Sequence, residues 1–199
     1  MNYKTSKAIK QLNALARYKT HRRLAAEEWD APWKTLIATL LSARTLDSTT
    51  IKVCNNLFKE FPSSKKLSLA KSDDVMKIIK SVNYYKNKSN YIIECCKQLQ
   101  QYKGIPPNDF NKLIDLKGVG RKTANVFLAE QGFPAIGVDT HVARISYKLG
   151  WTKSKDPVKI ERDLKNLFPK SKWNSINYIL VNFGQSHNRK EEDLILDKI

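Results

Sequence analysis

Apolar residues recur at spacings of three and four along almost the whole chain, and that period leaves few folds open. Such runs occupy 8–16, 33–43, 51–58, 75–82, 91–99, 113–116, 124–128, 142–149, 158–168 and 173–183. Helix-start residues precede many of them: Pro32, Asp47, Ser72, Asn108, Asp139 and Ser171, with Pro157 inside the first turn of another. Gly132 and Gly150 stand where helices close. Alternating stretches that would read as strands are absent, and no internal repeat or low-complexity linker breaks the pattern. The chain is therefore expected to be all-α, with roughly ten helices of ordinary length. Residues 188–199 read either as a last docked helix or as a frayed end.

With 199 residues, 41% of them hydrophobic, the chain can bury a core as one unit or two small ones. Its longest apolar run, "TLIATLLSA", is about half a membrane span. The start "MNYKTSKAIKQ" lacks the apolar segment of a signal peptide. Three cysteines, two of them adjacent, argue against a disulfide framework, and an intracellular protein is expected. Lys and Arg outnumber Asp and Glu by 36 to 19, a net charge of +17. A polyanion such as nucleic acid is the simplest partner for that charge, although a solvated lysine surface gives the same count.

The stretch "LIDLKGVGRKTANVFLAEQG" joins two helical patterns through a bend of a few residues. Gly118 and Gly120 let the backbone adopt positive φ and bring N–H groups close to a partner. Arg121 and Lys122 then fall in the first turn of the next helix, where the macrodipole disfavours cations. Exposed amides at a helix start bind anions, so a phosphate backbone accounts for both features. Asp139 follows Lys122 by seventeen positions. A helix of about 11 residues rises ~16 Å, and seven extended residues span up to ~23 Å, so the chain can return to the base of that helix. An amine in a partly dry pocket at a helix start keeps a nucleophilic fraction at neutral pH. A carboxylate beside it can accept a proton or stabilise charge developing on a sugar. Taken singly, Lys122 also reads as a phosphate contact and Asp139 as a helix N-cap. Together with the hairpin they read as a catalytic pair.

"LKGVGRKTANVFLAEQGFPAIGVDTHVARI" resembles the signature of the endonuclease III family, in the helix-hairpin-helix superfamily of DNA glycosylases. The likeness continues in "LIATLLSARTLDSTT", "VNYYKNKSNYI" and "VNFGQ". It implies two helical domains with an active cleft between them: a six-helix barrel over 24–134, with the hairpin at about 109–131, and a second domain from 1–23 plus 135–199. It further implies that Lys122 is the nucleophile and Asp139 the essential aspartate of a bifunctional DNA glycosylase and abasic-site lyase. In that chemistry a damaged, typically oxidised, pyrimidine is flipped out and excised. The lysine Schiff base then cleaves the strand by β-elimination. Lys117, Gly118, Val119, Gly120, Arg121 and His141 are the implied contacts to DNA. The implied partner is double-stranded DNA with damaged bases or abasic sites, met by a monomer in the cytoplasm or nucleoid, with no membrane.

Three departures stand out. The family carries a C-x6-C-x2-C-x5-C iron–sulfur loop, but Asn188 stands near its first position and no cysteine lies beyond Cys96. Four thiolates are needed for such a cluster, so no cofactor and no metal are expected. Arg44 stands at the position of the family's gap-filling glutamine, and reads equally as a gap filler or a phosphate contact. Tyr84 stands at the wedge position, and reads as a stacking residue or as barrel packing. His141 has no Cys or His near it and is no metal ligand, while His21 and His187 are expected to be solvated. The alternatives to a bifunctional enzyme are a monofunctional or shifted-specificity glycosylase and a non-catalytic DNA-binding module.

Overall fold

The structure, a computed structural model, describes residues 3–18 and 22–199. In chain order the α-helices are α1 (Tyr3–Ala16), α2 (Pro32–Leu41), α3 (Asp47–Glu60), α4 (Ser64–Ser68), α5 (Ser72–Ile78) and α6 (Tyr85–Leu99). They continue as α7 (Phe110–Ile114), α8 (Arg121–Glu130), α9 (Thr140–Lys148), α10 (Pro157–Leu167), α11 (Trp173–Ser186) and α12 (Arg189–Leu196). Single 3-10 turns at Gln100–Tyr102 and Lys170–Lys172 complete the list, and no strand occurs among the described residues. Every apolar run of the sequence overlaps one of these helices, though the run at 75–82 continues past the end of α5 at Ile78. The two helices outside the runs are α4 and α12. With five residues, α4 is too short to show a period; its start is fixed by Ser63, whose hydroxyl accepts from the Lys66 amide at 3.1 Å. The terminal ambiguity resolves to helix: Asn188 accepts from the amides of Lys190 and Glu191, and Glu191 accepts from the Asn188 amide, a capping box. No described helix is long and apolar enough to cross a membrane.

Some start residues sit one or two places from their expected role. Pro32, Asp47 and Ser72 are the first residues inside their helices. Asp109, not Asn108, caps α7, accepting from the Lys112 amide at 2.9 Å. Ser171 lies in a 3-10 turn before α11. Gly132 and Gly150 do close α8 and α9 in the left-handed region, at φ +81° and +70°.

The chain divides into two compact units, Arg23–Gln131 and Met1–Arg22 with Gly132–Ile199. The first holds α2 to α8, seven α-helices where the family resemblance implies six. Its centre is made of fully buried Leu36, Ile37, Leu57, Leu67, Ile79, Ile92, Leu99 and Phe127. The second packs Leu12 and Leu15 of α1 with Val142, Ile145, Ile160, Leu164, Ile176, Leu180 and Phe183. Each such side chain contributes about 1.5–3 kcal/mol of burial. One polar tie fixes α1 in this unit: the Trp151 indole donates to Gln11 Oε1 at 2.8 Å, both residues being buried. Such a bond leaves no indole N–H stranded in the core.

Candidate functional site

Within Arg23–Gln131, α7 and α8 form the hairpin. Leu113, Leu116 and Val119 are buried beneath it. Gly118 has φ +80°, and a Cβ there would lie 2.8 Å from Tyr91 Cβ and 3.1 Å from Leu40 Cδ1. Both conformation and packing therefore demand glycine. Gly120 differs: its φ of −92° suits any residue, and a Cβ would meet nothing within 4 Å. As the N-cap of α8 it offers no side-chain acceptor, and the first turn of α8 holds no acid. The open ground beside that turn suits an outside anion. Rings steer the hairpin's cations. The Lys117 ammonium lies 5.7 Å from the Tyr91 ring centre, its amide donating to Gln98 Oε1 at 2.6 Å, and the Arg121 guanidinium lies 4.8 Å from Phe110. Lys122, half-buried, follows in the same turn.

Elsewhere in this unit Arg44 and Tyr84 come together. Both residues have left-handed backbones, φ 58° and 60°. The Arg44 guanidinium donates to the Tyr84 hydroxyl at 2.8 Å and lies 5.8 Å from its ring centre. Tyr84 is 59% exposed, which removes the barrel-packing reading. The two loops are stitched by Asn83, whose side-chain amide donates to the Arg44 carbonyl and whose backbone N–H donates to Thr45 Oγ1 at 3.1 Å. Leu46 beside them is 75% exposed, an apolar tip that the sequence reading passed over.

Sequence reading also missed Lys88. Its ammonium is buried and donates to the carbonyls of Leu41 at 2.8 Å and Ala43 at 2.6 Å, at the end of α2. Burial, reinforced by the charge of Lys122, pushes the Lys88 pKa down to about 8. The signal for it was present: Lys88 shares a helix face with Ile92, Cys95 and Cys96, all buried. A lysine on an apolar face is unusual unless it has partners.

In the second unit, Asp139 caps α9 and accepts from the Val142 amide at 2.8 Å. His141 lies one residue inside that helix, with Nδ1 3.1 Å from Arg144 Nη2. A guanidinium can only donate, so Nδ1 accepts and the ring proton sits on Nε2. Burial lowers the His141 pKa; Asp139 and Glu192 act against that, while Arg144 and Arg189 add to it. Arg144 forms an ion pair with Glu192 of α12, which is fully buried. Gly184 on α11 makes room for the group, since a Cβ there would lie 2.2 Å from His141 Nδ1. His187 is half-buried rather than fully solvated. It packs against Tyr18 and Phe183, with Nδ1 2.9 Å from the Phe183 carbonyl. His21 lies outside the described residues. Lys122 and Arg44 thus belong to one unit, and Asp139 and His141 to the other.

The residues present do not fit an iron–sulfur cluster. Cys54 on α3 and Cys95 and Cys96 on α6 are buried. Desolvation raises all three thiols, that of Cys95 to about 12, away from the thiolate a cluster requires. Among the described residues no group of three or more His, Cys, Asp or Glu side chains could hold a metal. Asn188, near the place of the family's first cluster cysteine, caps α12 instead.

Residues 37–170 match the family model described as HhH-GPD superfamily base excision DNA repair protein. The chain is 42% identical over 157 residues to endonuclease III of Thermotoga maritima, covering 77% of this chain and 73% of that protein. A non-covalent endonuclease III–DNA complex is similar with a TM-score of 0.84 and 32% identity, over 94% of this chain and 88% of that one. A trapped endonuclease III–DNA covalent intermediate, in an estranged-adenine complex, gives 0.81 and 31% over the same shares.

Proposed function

The chain belongs to the HhH-GPD superfamily of base excision DNA repair proteins and is a DNA glycosylase with abasic-site lyase activity; we propose that it removes damaged, chiefly oxidised, pyrimidines through Lys122. The observation that carries this reading is the half-buried lysine itself, in the first turn of a helix that follows a glycine-capped hairpin. That lysine and Asp139 both fall inside the region matched to the family, 37–170. In the proposed reaction the Lys122 amine attacks C1′ of the damaged nucleotide and the base leaves with the electrons of its glycosidic bond. Opening of the sugar yields the imine. Loss of a C2′ proton then expels the 3′ phosphate, and water releases the enzyme. Asp139 stabilises positive charge developing on the sugar and takes up a proton.

The DNA grip we assign to Lys117, Gly118, Val119, Gly120 and Arg121 at the hairpin, with His141 on the other unit. Arg44 and Tyr84 enter as one joined element that fills the space of the flipped nucleotide, Arg44 donating to the orphaned base and Tyr84 stacking. The enzyme works as a monomer on intracellular DNA, without an iron–sulfur cluster; its cysteines do not suit one. A panel of duplexes, each with a single lesion, tests the reading by scoring base release and nicking separately. Both events should occur together on oxidised pyrimidines, and abasic sites should be nicked. Release without nicking would make the protein monofunctional, and tight binding with neither would make it a binding module.

A further inference from the structure

The ion pair between α12 and α9 touches no residue of the proposed reaction directly, yet it ends on His141. Glu192 is fully buried, and one of its two oxygens meets the Arg144 guanidinium. The other oxygen, Oε2, is buried with no hydrogen-bond partner among the described residues. A buried carboxylate with half its acceptors unused is costly, so its place on α12 calls for a use beyond docking the helix. Arg144 divides its fork: Nη1 goes to Glu192 and Nη2 to His141 Nδ1. The absence of a side chain at Gly184 is what allows this close approach.

We propose that Glu192 is a positioning residue which, through Arg144, fixes His141 as the Nε2–H tautomer and so aims one hydrogen-bond donor at a DNA phosphate oxygen. The chain of cause runs from α12 to α9. Glu192 anchors Nη1, the planar fork then holds Nη2 against Nδ1, and the proton is left only on Nε2. The charged groups around the ring are Asp139 and Arg144 on its own helix and Glu192 and Arg189 from α12. Burial, with the charges of Arg144 and Arg189, outweighs Asp139 and Glu192 and keeps the ring neutral, so it donates in one direction rather than two. Asn188 secures the register of this device through its capping box, and a second ion pair, Lys148 with Asp193, repeats the α9–α12 link. The segment that in the family would hold a cluster loop here carries the residue that orients a contact to DNA.

The phosphate half of this proposal rests on the function proposed above, whereas the tautomer half does not. Nitrogen-15 spectra of the full chain near neutral pH, assigned with His141→Gln, should show His141 as the single Nε2–H tautomer. Glu192→Gln should mix the two tautomers, and so should Arg144→Lys, which keeps the charge but loses the fork. On a duplex with a stable abasic analogue, Glu192→Gln should weaken binding about tenfold, the size of one charge-assisted hydrogen bond. In a His141→Ala background it should cost almost nothing more. Equal losses in both backgrounds would mean that Glu192 serves only to dock α12, and would overturn the proposal. So would a wild-type His141 protonated on Nδ1, or His141→Ala binding as well as wild type while Lys122 still forms its Schiff base. If the chain bound no abasic duplex at all, the functional reading would fall, and the spectra of the free protein would still decide this one.

Discussion

At Asp139 two tasks meet in one carboxylate, because the oxygen that caps α9 belongs to the proposed catalytic group. The two tasks separate chemically. Asparagine caps a helix about as well as aspartate does, but carries no charge. Asp139→Asn should therefore leave the melting temperature within a few degrees of wild type and lower base excision by about 100-fold or more. Thermal melts and single-turnover excision on the same preparation check this. A variant that melts far lower yet keeps its activity per folded molecule would assign Asp139 to capping alone. Residues such as Asp139 and Lys122 are legible in a sequence because their setting is local: a cap three residues from its amide, a lysine two residues after a glycine. Lys88 is not, because its partners lie 47 and 45 positions away. Glu192 is hidden for the same reason, its arginine being 48 residues distant.

Helices α2 and α6 show how one buried charge joins two elements. The last carbonyls of a helix lack partners, and Lys88 donates to that of Leu41, the last residue of α2, and to that of Ala43 in the turn that follows, just before Arg44. Lys88→Met keeps much of the side-chain length and leaves both carbonyls without that donor, at a cost of about 1–3 kcal/mol. The loss has a pH signature. The folded pKa of Lys88, about 8, is below the ordinary 10.5, so between those values the unfolded chain binds more protons. Its contribution to stability therefore rises as pH climbs from about 8 to 10.5 and is flat below that window. Denaturant melts across this range should show the slope in wild type and lose it in Lys88→Met. Unchanged slopes would mean that Lys88 is not buried as a charge. At this scale the sequence reading found ten helices by their period, passed over α4 and left α12 open between a docked helix and a frayed end. A helix of five residues has no period to read, and α12 carries its signal in a capping box beside a heavily charged face.

Across the whole molecule, fold class was the most legible property, since a repeat of three and four admits little besides helices. The family signature added the site, because its residues are concentrated in 30 positions around the hairpin and the start of α9. What could not be read was the tertiary wiring: the Arg44–Tyr84 pair, the Lys88 clamp and the Glu192–Arg144–His141 chain each join loops or helices distant in sequence. Periodicity names a buried face but not the partner it meets. Central to the proposed reaction is that the Lys122 amine acts as a nucleophile and not merely as a grip on phosphate. Borohydride reduction with an abasic duplex tests that claim most directly. Wild type should become covalently trapped on the DNA, and Lys122→Gln should bind the same duplex yet yield no trapped complex. Trapping of Lys122→Gln at the wild-type level would contradict the assignment.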